Sequence, residues 1–203
     1  IGVVLAILPV FVAVSLTVMD RRARMEQLIR AKEVSSAKIV FTRYVALVTV
    51  MFLPVVVTAF AAQAEIIKLY PGKTLDLFAF PKYTIGCLIP AIMISAAVGV
   101  LVSEMFSILP AIFIQGAWWF GSIFTGSLTG KIGKFTLVVR HNSLYKSDLF
   151  YENFGNLVFN RIFFTAVSLA AVALAALIYE QKRRGYGDEI QIFHKIGRHK
   201  SKA

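Results

Sequence analysis

The chain has 203 residues, of which 58% are hydrophobic and only 16% charged; its mean hydropathy is +0.72 and its formal net charge +11. A soluble domain has no use for that much uninterrupted apolar sequence, and one cysteine excludes both a disulfide framework and a Cys-pair metal site. The positive charge carries no nucleic-acid motif with it; basic clusters beside a membrane are drawn to anionic headgroups at about 1 kcal/mol per residue, so membrane lipids are the expected partner and nucleic acid is not.

Five uncharged apolar runs follow one another: Ile1 to Met19, Tyr44 to Ala64, Tyr83 to Ser103, Met105 to Gly130 and Ile162 to Tyr179. At about 1.5 Å of rise per residue, roughly 20 helical residues cross a hydrocarbon core. Transmembrane β-strands alternate apolar and polar positions, whereas these runs are apolar throughout. The sequence therefore predicts an all-α polytopic membrane helix bundle, a single transmembrane domain over 1–203 with spans at about 1–19, 44–64, 83–103, 105–128 and 162–179. The fourth run is long enough to tilt or to let its glycine-rich end (Gly121, Gly126, Gly130) leave the bilayer.

Lys and Arg set the orientation. Residues 20–43 hold seven and 180–203 hold seven, against three in 65–82 and five in 131–161, which puts the first segment and the basic C-terminal tail in the cytoplasm. Glu104 then falls in a tight inner turn and residue 1 lies outside. That odd span count and a first residue other than Met lead to the expectation that the complete protein carries a further span before Ile1, six in all. A signal peptide is the poorer reading of the first run, which lacks a basic leader and a small-residue cleavage site and ends in Asp20-Arg21-Arg22.

Between the first two runs, Arg22 to Glu33 reads as an amphipathic helix. Met25, Leu28 and Ile29 share an apolar face, and Arg22/Glu26 and Glu26/Arg30 form i,i+4 pairs. Ser35 or Ser36 is placed to cap a new helix that continues into the second span. Residues 20–36 are thus a helix along the inner membrane surface, serving either as an interfacial anchor or as a docking element for a cytoplasmic partner.

Further along, Trp118, Trp119 and Phe120 stand well inside the fourth run. They are candidates for a translocation path, although packing is the commoner use of such side chains. Ser95 and Gly99, and the alanines from Ala170 to Ala176, permit close helix approach. Residues 131–160 are rich in aromatics and asparagines, which suits half-buried helices at the outer interface or a plain aromatic belt. His141, His194 and His199 have no metal-ligand spacing, and no metal site or catalytic set is expected.

Within the stretch from Asp20 to Ala46, Glu26-x-Leu28, the Val34-Ser35 pair and the Arg43-Tyr44 approach to the next span resemble the segment after the second span of ABC type-2 transporter permeases. Glu33 and Thr42 stand where that family usually has Pro and Gly. Asn160-Arg161 before the last span and Tyr179 to Gly185 after it are similar to the family's C-terminal exit. The resemblance implies a plasma-membrane, multi-pass permease subunit of a bacterial ABC exporter moving an amphipathic or lipid-like substrate or a peptide by alternating access. It also implies a coupling helix carrying Arg22, Met25, Glu26, Leu28 and Ile29, seated in an ABC ATPase subunit, a second permease chain, identical or related, and short re-entrant outer helices within 131–160 that serve as an outer gate, with Phe150, Phe154 and Asn156 as candidate gate residues.

This chain supplies no ATPase of its own. Its nearest phosphate-loop lookalike, Gly126 to Ile132, is one residue short and has Ile where a Mg-binding Ser or Thr is needed. Mg-ATP is accordingly expected on the partner, with no cofactor in this chain. Secondary transport is disfavoured by the lack of ionisable residues within the runs; a structural or sensory membrane subunit is the alternative function.

Overall fold

A computed structural model describes residues 2–22, 34–71, 76–106, 108–129, 135–138 and 151–184. All the regular structure among them is helical: α1 (Gly2–Leu5), α2 (Leu8–Arg22), α3 (Ser36–Leu69), α4 (Ala79–Met105), α5 (Ile108–Thr129) and α6 (Phe154–Arg183). Three of these, α3, α4 and α6, are long and apolar enough to cross a membrane. The protein is a membrane-type helix bundle.

Helix ends follow local chemistry. Ser35 is the N-cap of α3, its side chain accepting from the Lys38 N–H at 3.3 Å, while Ser36 turns its hydroxyl to Glu180 on α6. Pro81 and Pro110 lie in the first turns of α4 and α5, where a missing N–H costs nothing because those donors have no intrahelical acceptor. Pro54 and Pro90 sit inside α3 and α4, each removing one rung without ending the helix. The helices overrun the hydrophobic stretches that mark them: α3 starts at Ser36 although its apolar run starts at Tyr44, and α6 starts at Phe154 although its run starts at Ile162.

At the centre lies α4. Half of its most apolar window is buried, against 17% for α3 and 33% for α6. Ala96, Ala97 and Ile92 are closed off, and Ala13, Tyr44, Val172 and Ala175 pack around the first two from α2, α3 and α6. On α3 the converse holds: Phe41, Val50, Leu53, Val57 and Phe60 stay exposed, an apolar face that suits lipid rather than water. The closest approach is at Gly99 of α4. A Cβ there would lie 2.7 Å from Ala13 Cβ and 3.2 Å from the Val10 backbone, so α2 sits where only glycine admits it.

The bundle runs up and down, which gathers unlike chemistry at its two ends. At the basic end, the start of α3, the end of α4 and the end of α6 are tied together. Ser36 donates to Glu180, Arg183 Nη1 donates to the Val34 carbonyl at 2.6 Å, and Lys182 reaches the carbonyl of Glu104 and stands 3.6 Å from its carboxylate. At the aromatic end Gln63 of α3 clamps the turn into α4, donating to the Asp76 carbonyl at 3.1 Å and accepting from the Phe80 N–H at 3.3 Å.

Candidate functional site: a broken helix held by a polar clamp

The first run is not one helix. Pro9 has no N–H to offer the Leu5 carbonyl, and its ring crowds the preceding turn. The chain answers with tighter bonds, Ile7 N–H to the Val4 carbonyl at 3.1 Å and Val10 N–H to the Ile7 carbonyl at 3.2 Å, and the helix breaks at Ala6 and Ile7. In an unbroken helix Ile7 and Val10 would have donated to Val3 and Ala6, so the break frees those two carbonyls from the ladder.

Both are met from α5. Gln115 Nε2 donates to the Ala6 carbonyl at 2.7 Å, and Trp119 Nε1 donates to the Val3 carbonyl at 2.7 Å. Gln115 and Trp119 are four residues apart and therefore share one face of α5. Gln115 is fully buried, and its Oε1 has no partner. Away from water a stray carbonyl is costly, so irregular backbone persists only where side chains like these complete it.

A second piece of non-helical chain packs beside the break. Residues 135–138 run inward, with Leu137 and Val138 buried against Ala6, Ile94 and Phe164. They are held from two sides, the Leu137 N–H donating to Ser122 Oγ of α5 at 3.3 Å and Asn160 Nδ2 of α6 donating to the Thr136 carbonyl at 3.0 Å. Around them stands an aromatic cluster. Trp118 meets Phe164 edge-on at 5.5 Å, Phe135 meets Phe163 at 5.2 Å, and Phe159 stacks on Phe163 at 6.1 Å. Arg161, next to Asn160, is only 8% exposed, and its Nε and Nη1 have no hydrogen-bond partner.

The sequence-derived site residues fare unequally. Trp118 and Trp119 come together at the break, whereas Phe120 is 57% exposed on the outer surface, its ring tilted at 41° against that of Phe124. Phe154 and Asn156 lie in the first turn of α6, Phe154 exposed and Asn156 Nδ2 within 3.5 Å of Asn153 Oδ1. Arg22 ends α2. Met25, Glu26, Leu28, Ile29 and Phe150, together with the three histidines, lie outside the described residues.

Sequence reading passed over Pro9, Gln115 and Ser122, and noted Arg161 only as part of the approach to the last span. The available signal was a proline near the middle of the first run and a lone amide within the fourth, four residues before a tryptophan.

At the basic end a second feature opens between α3 and α6. A cavity of about 890 Å3 is floored by Ala173, Ala176 and Leu177 and rimmed by Val34, Ser35, Ser36, Glu180, Arg183 and Arg184. Among the described residues no group of three His, Cys, Asp or Glu is placed to hold a metal ion. No protein-family model, curated protein or solved structure matches this chain.

Proposed function

We propose that this chain is the membrane subunit of an ATP-driven exporter of the ABC type-2 class, five of its spans lying within these 203 residues. The basic end faces the cytoplasm, and the segment between α2 and α3 carries the coupling helix, with Met25, Leu28 and Ile29, that seats in an ATPase subunit. A second permease chain completes the pathway, Mg-ATP is bound and hydrolysed by the partner, and the cargo is an amphipathic or lipid-like molecule or a peptide.

One observation carries this reading. The entry into α3 is fastened to α6 by Ser36–Glu180 and by Arg183 to the Val34 carbonyl, while Lys182 fastens α6 to the end of α4. A push on the surface segment therefore reaches three long helices at once. The broken first helix lies at the opposite end, and interrupted helices are tolerated at membrane depth where they are buried in protein or line a cavity. ATP binding shifts such a bundle only if the ATPase binds its two states with different free energy.

The test is Leu28→Asp together with Ile29→Asp. Two carboxylates in an apolar contact cost several kcal/mol if desolvated, and about 1.4 kcal/mol already weakens binding tenfold. Membrane abundance stays normal, because neither residue lies in a hydrophobic run, while the copurifying ATPase and substrate-stimulated hydrolysis are lost. Retained ATPase binding with unchanged transport would refute the coupling role.

A further inference from the structure

A guanidinium keeps its charge at any pH a protein meets, and burying it without a counter-charge is among the costliest arrangements in a fold. Arg161 is in that position. It lies two turns into α6, is more than nine-tenths buried, and leaves two of its three guanidinium nitrogens without an acceptor. No ion pair reaches it among the described residues; Glu152, the described carboxylate that precedes it most closely in the chain, is exposed. Its electrostatic neighbour is the thiol of Cys87 on α4, a neutral group that offers no compensation.

The surroundings are apolar and open to one side. Next to Cys87, a Cβ on Gly86 would meet no atom within 4 Å, and Ile85 beyond it is exposed. On α6, Val158, three residues before Arg161 and so beside it on the helix surface, is exposed as well. A small anion alone would find its charge partner here but nothing polar to replace the rest of its hydration. An anion carried on a hydrocarbon chain satisfies both requirements.

We propose that Arg161 anchors an anion site between α4 and α6, near their aromatic-end halves, that takes the phosphate or carboxylate headgroup of a single-chain amphiphile, with the chain lying along the apolar surface beside Gly86. The ligand supplies the acceptors that the fold withholds. The site stands whether or not the chain is a transporter, so its failure and the failure of the exporter reading are separate results.

The experiment uses the full chain in dodecyl maltoside and dodecyl phosphate as the probe. Cys87 is the only cysteine, so its alkylation by N-ethylmaleimide reports on the site directly, and thermal unfolding reports independently. At about ten times its Kd the probe leaves about a tenth of the sites free, so alkylation slows roughly tenfold and Tm rises. Dodecanol, the same chain without the anion, does neither. Inorganic phosphate at equal concentration is without effect; equal protection by it would mean that the site reads a free anion and would overturn the amphiphile. Arg161→Gln abolishes both responses and, without ligand, keeps or raises Tm, because an uncompensated buried charge has been removed. A response to dodecyl phosphate that persists in Arg161→Gln overturns the proposal. So does a loss of ligand-free stability in that variant, which would show that the guanidinium already has its anion within the chain.

Discussion

If Gln115 is present to complete a carbonyl that Pro9 leaves stranded, then the cost of removing Gln115 depends on Pro9. Gln115→Leu deletes the 2.7 Å bond to the Ala6 carbonyl and leaves that acceptor buried; it also removes the unpartnered Oε1, which offsets part of the loss. Side-chain hydrogen bonds between membrane helices average about 0.6 kcal/mol and reach about 1.7, so about 1 kcal/mol is expected here. For a chain of this size that lowers Tm by about 2–4 °C. Pro9→Ala returns an N–H to the Leu5 carbonyl and lets α1 and α2 join, whereupon Val10 donates to Ala6 again and the amide has less to do. In that background Gln115→Leu should cost under about 0.5 kcal/mol, and the difference is the coupling energy of the cycle. Reversible unfolding in mixed micelles measures all four proteins, and tryptophan fluorescence follows the same event, since both tryptophans of the chain lie on α5 and Trp119 bonds to Val3. An equal penalty with and without Pro9 would refute the clamp.

Gly99→Val puts branched carbons where a Cβ already overlaps Ala13, so α2 must move; a loss of about 1–3 kcal/mol is expected by thermal unfolding, with Ala13→Gly in the same chain recovering part of it, and an unchanged Tm would deny the close approach. Single cysteines at Ser35 and Ser201 in a Cys87→Ala background should react with impermeant reagents only from the cytoplasmic side. Labelling of Ser35→Cys from outside sealed cells would reverse the orientation, and the proposed ATPase contact would go with it. The Leu28 and Ile29 substitutions, read by ATPase copurification, and the Arg161 titration, read at Cys87, test the other two readings.

Hydrophobic period and length were enough to announce helices and a membrane, because a helix that faces lipid must be apolar on nearly every side and that pattern survives in one dimension. Capping chemistry is equally local, which is why Ser35 at the start of α3 was open to sequence reading. The start of α6 was not, since Asn160 lies within the helix ahead of its apolar run with its amide on the Thr136 carbonyl, a partner that hydropathy does not show. Residues 20–22 and 154–160 show the same thing, belonging to helices although hydropathy sets them between spans.

The site was legible only in fragments. The two tryptophans drew notice for their size, but nothing in the order of residues says that Trp119 turns to the Val3 carbonyl, Trp118 to Phe164 and Phe120 to the outside. Whether Pro9 breaks its helix or merely bends it, as Pro54 and Pro90 leave theirs continuous, depends on who meets the freed carbonyls. Gln115 lies 109 positions away along the chain. Local sequence determined which segments are helices and that they belong with lipid; the tertiary packing decided which of their polar atoms are satisfied and left two of the three guanidinium nitrogens of Arg161 without an acceptor, because hydrogen-bond partners across a bundle are set by the approach of whole helices and not by neighbours in sequence.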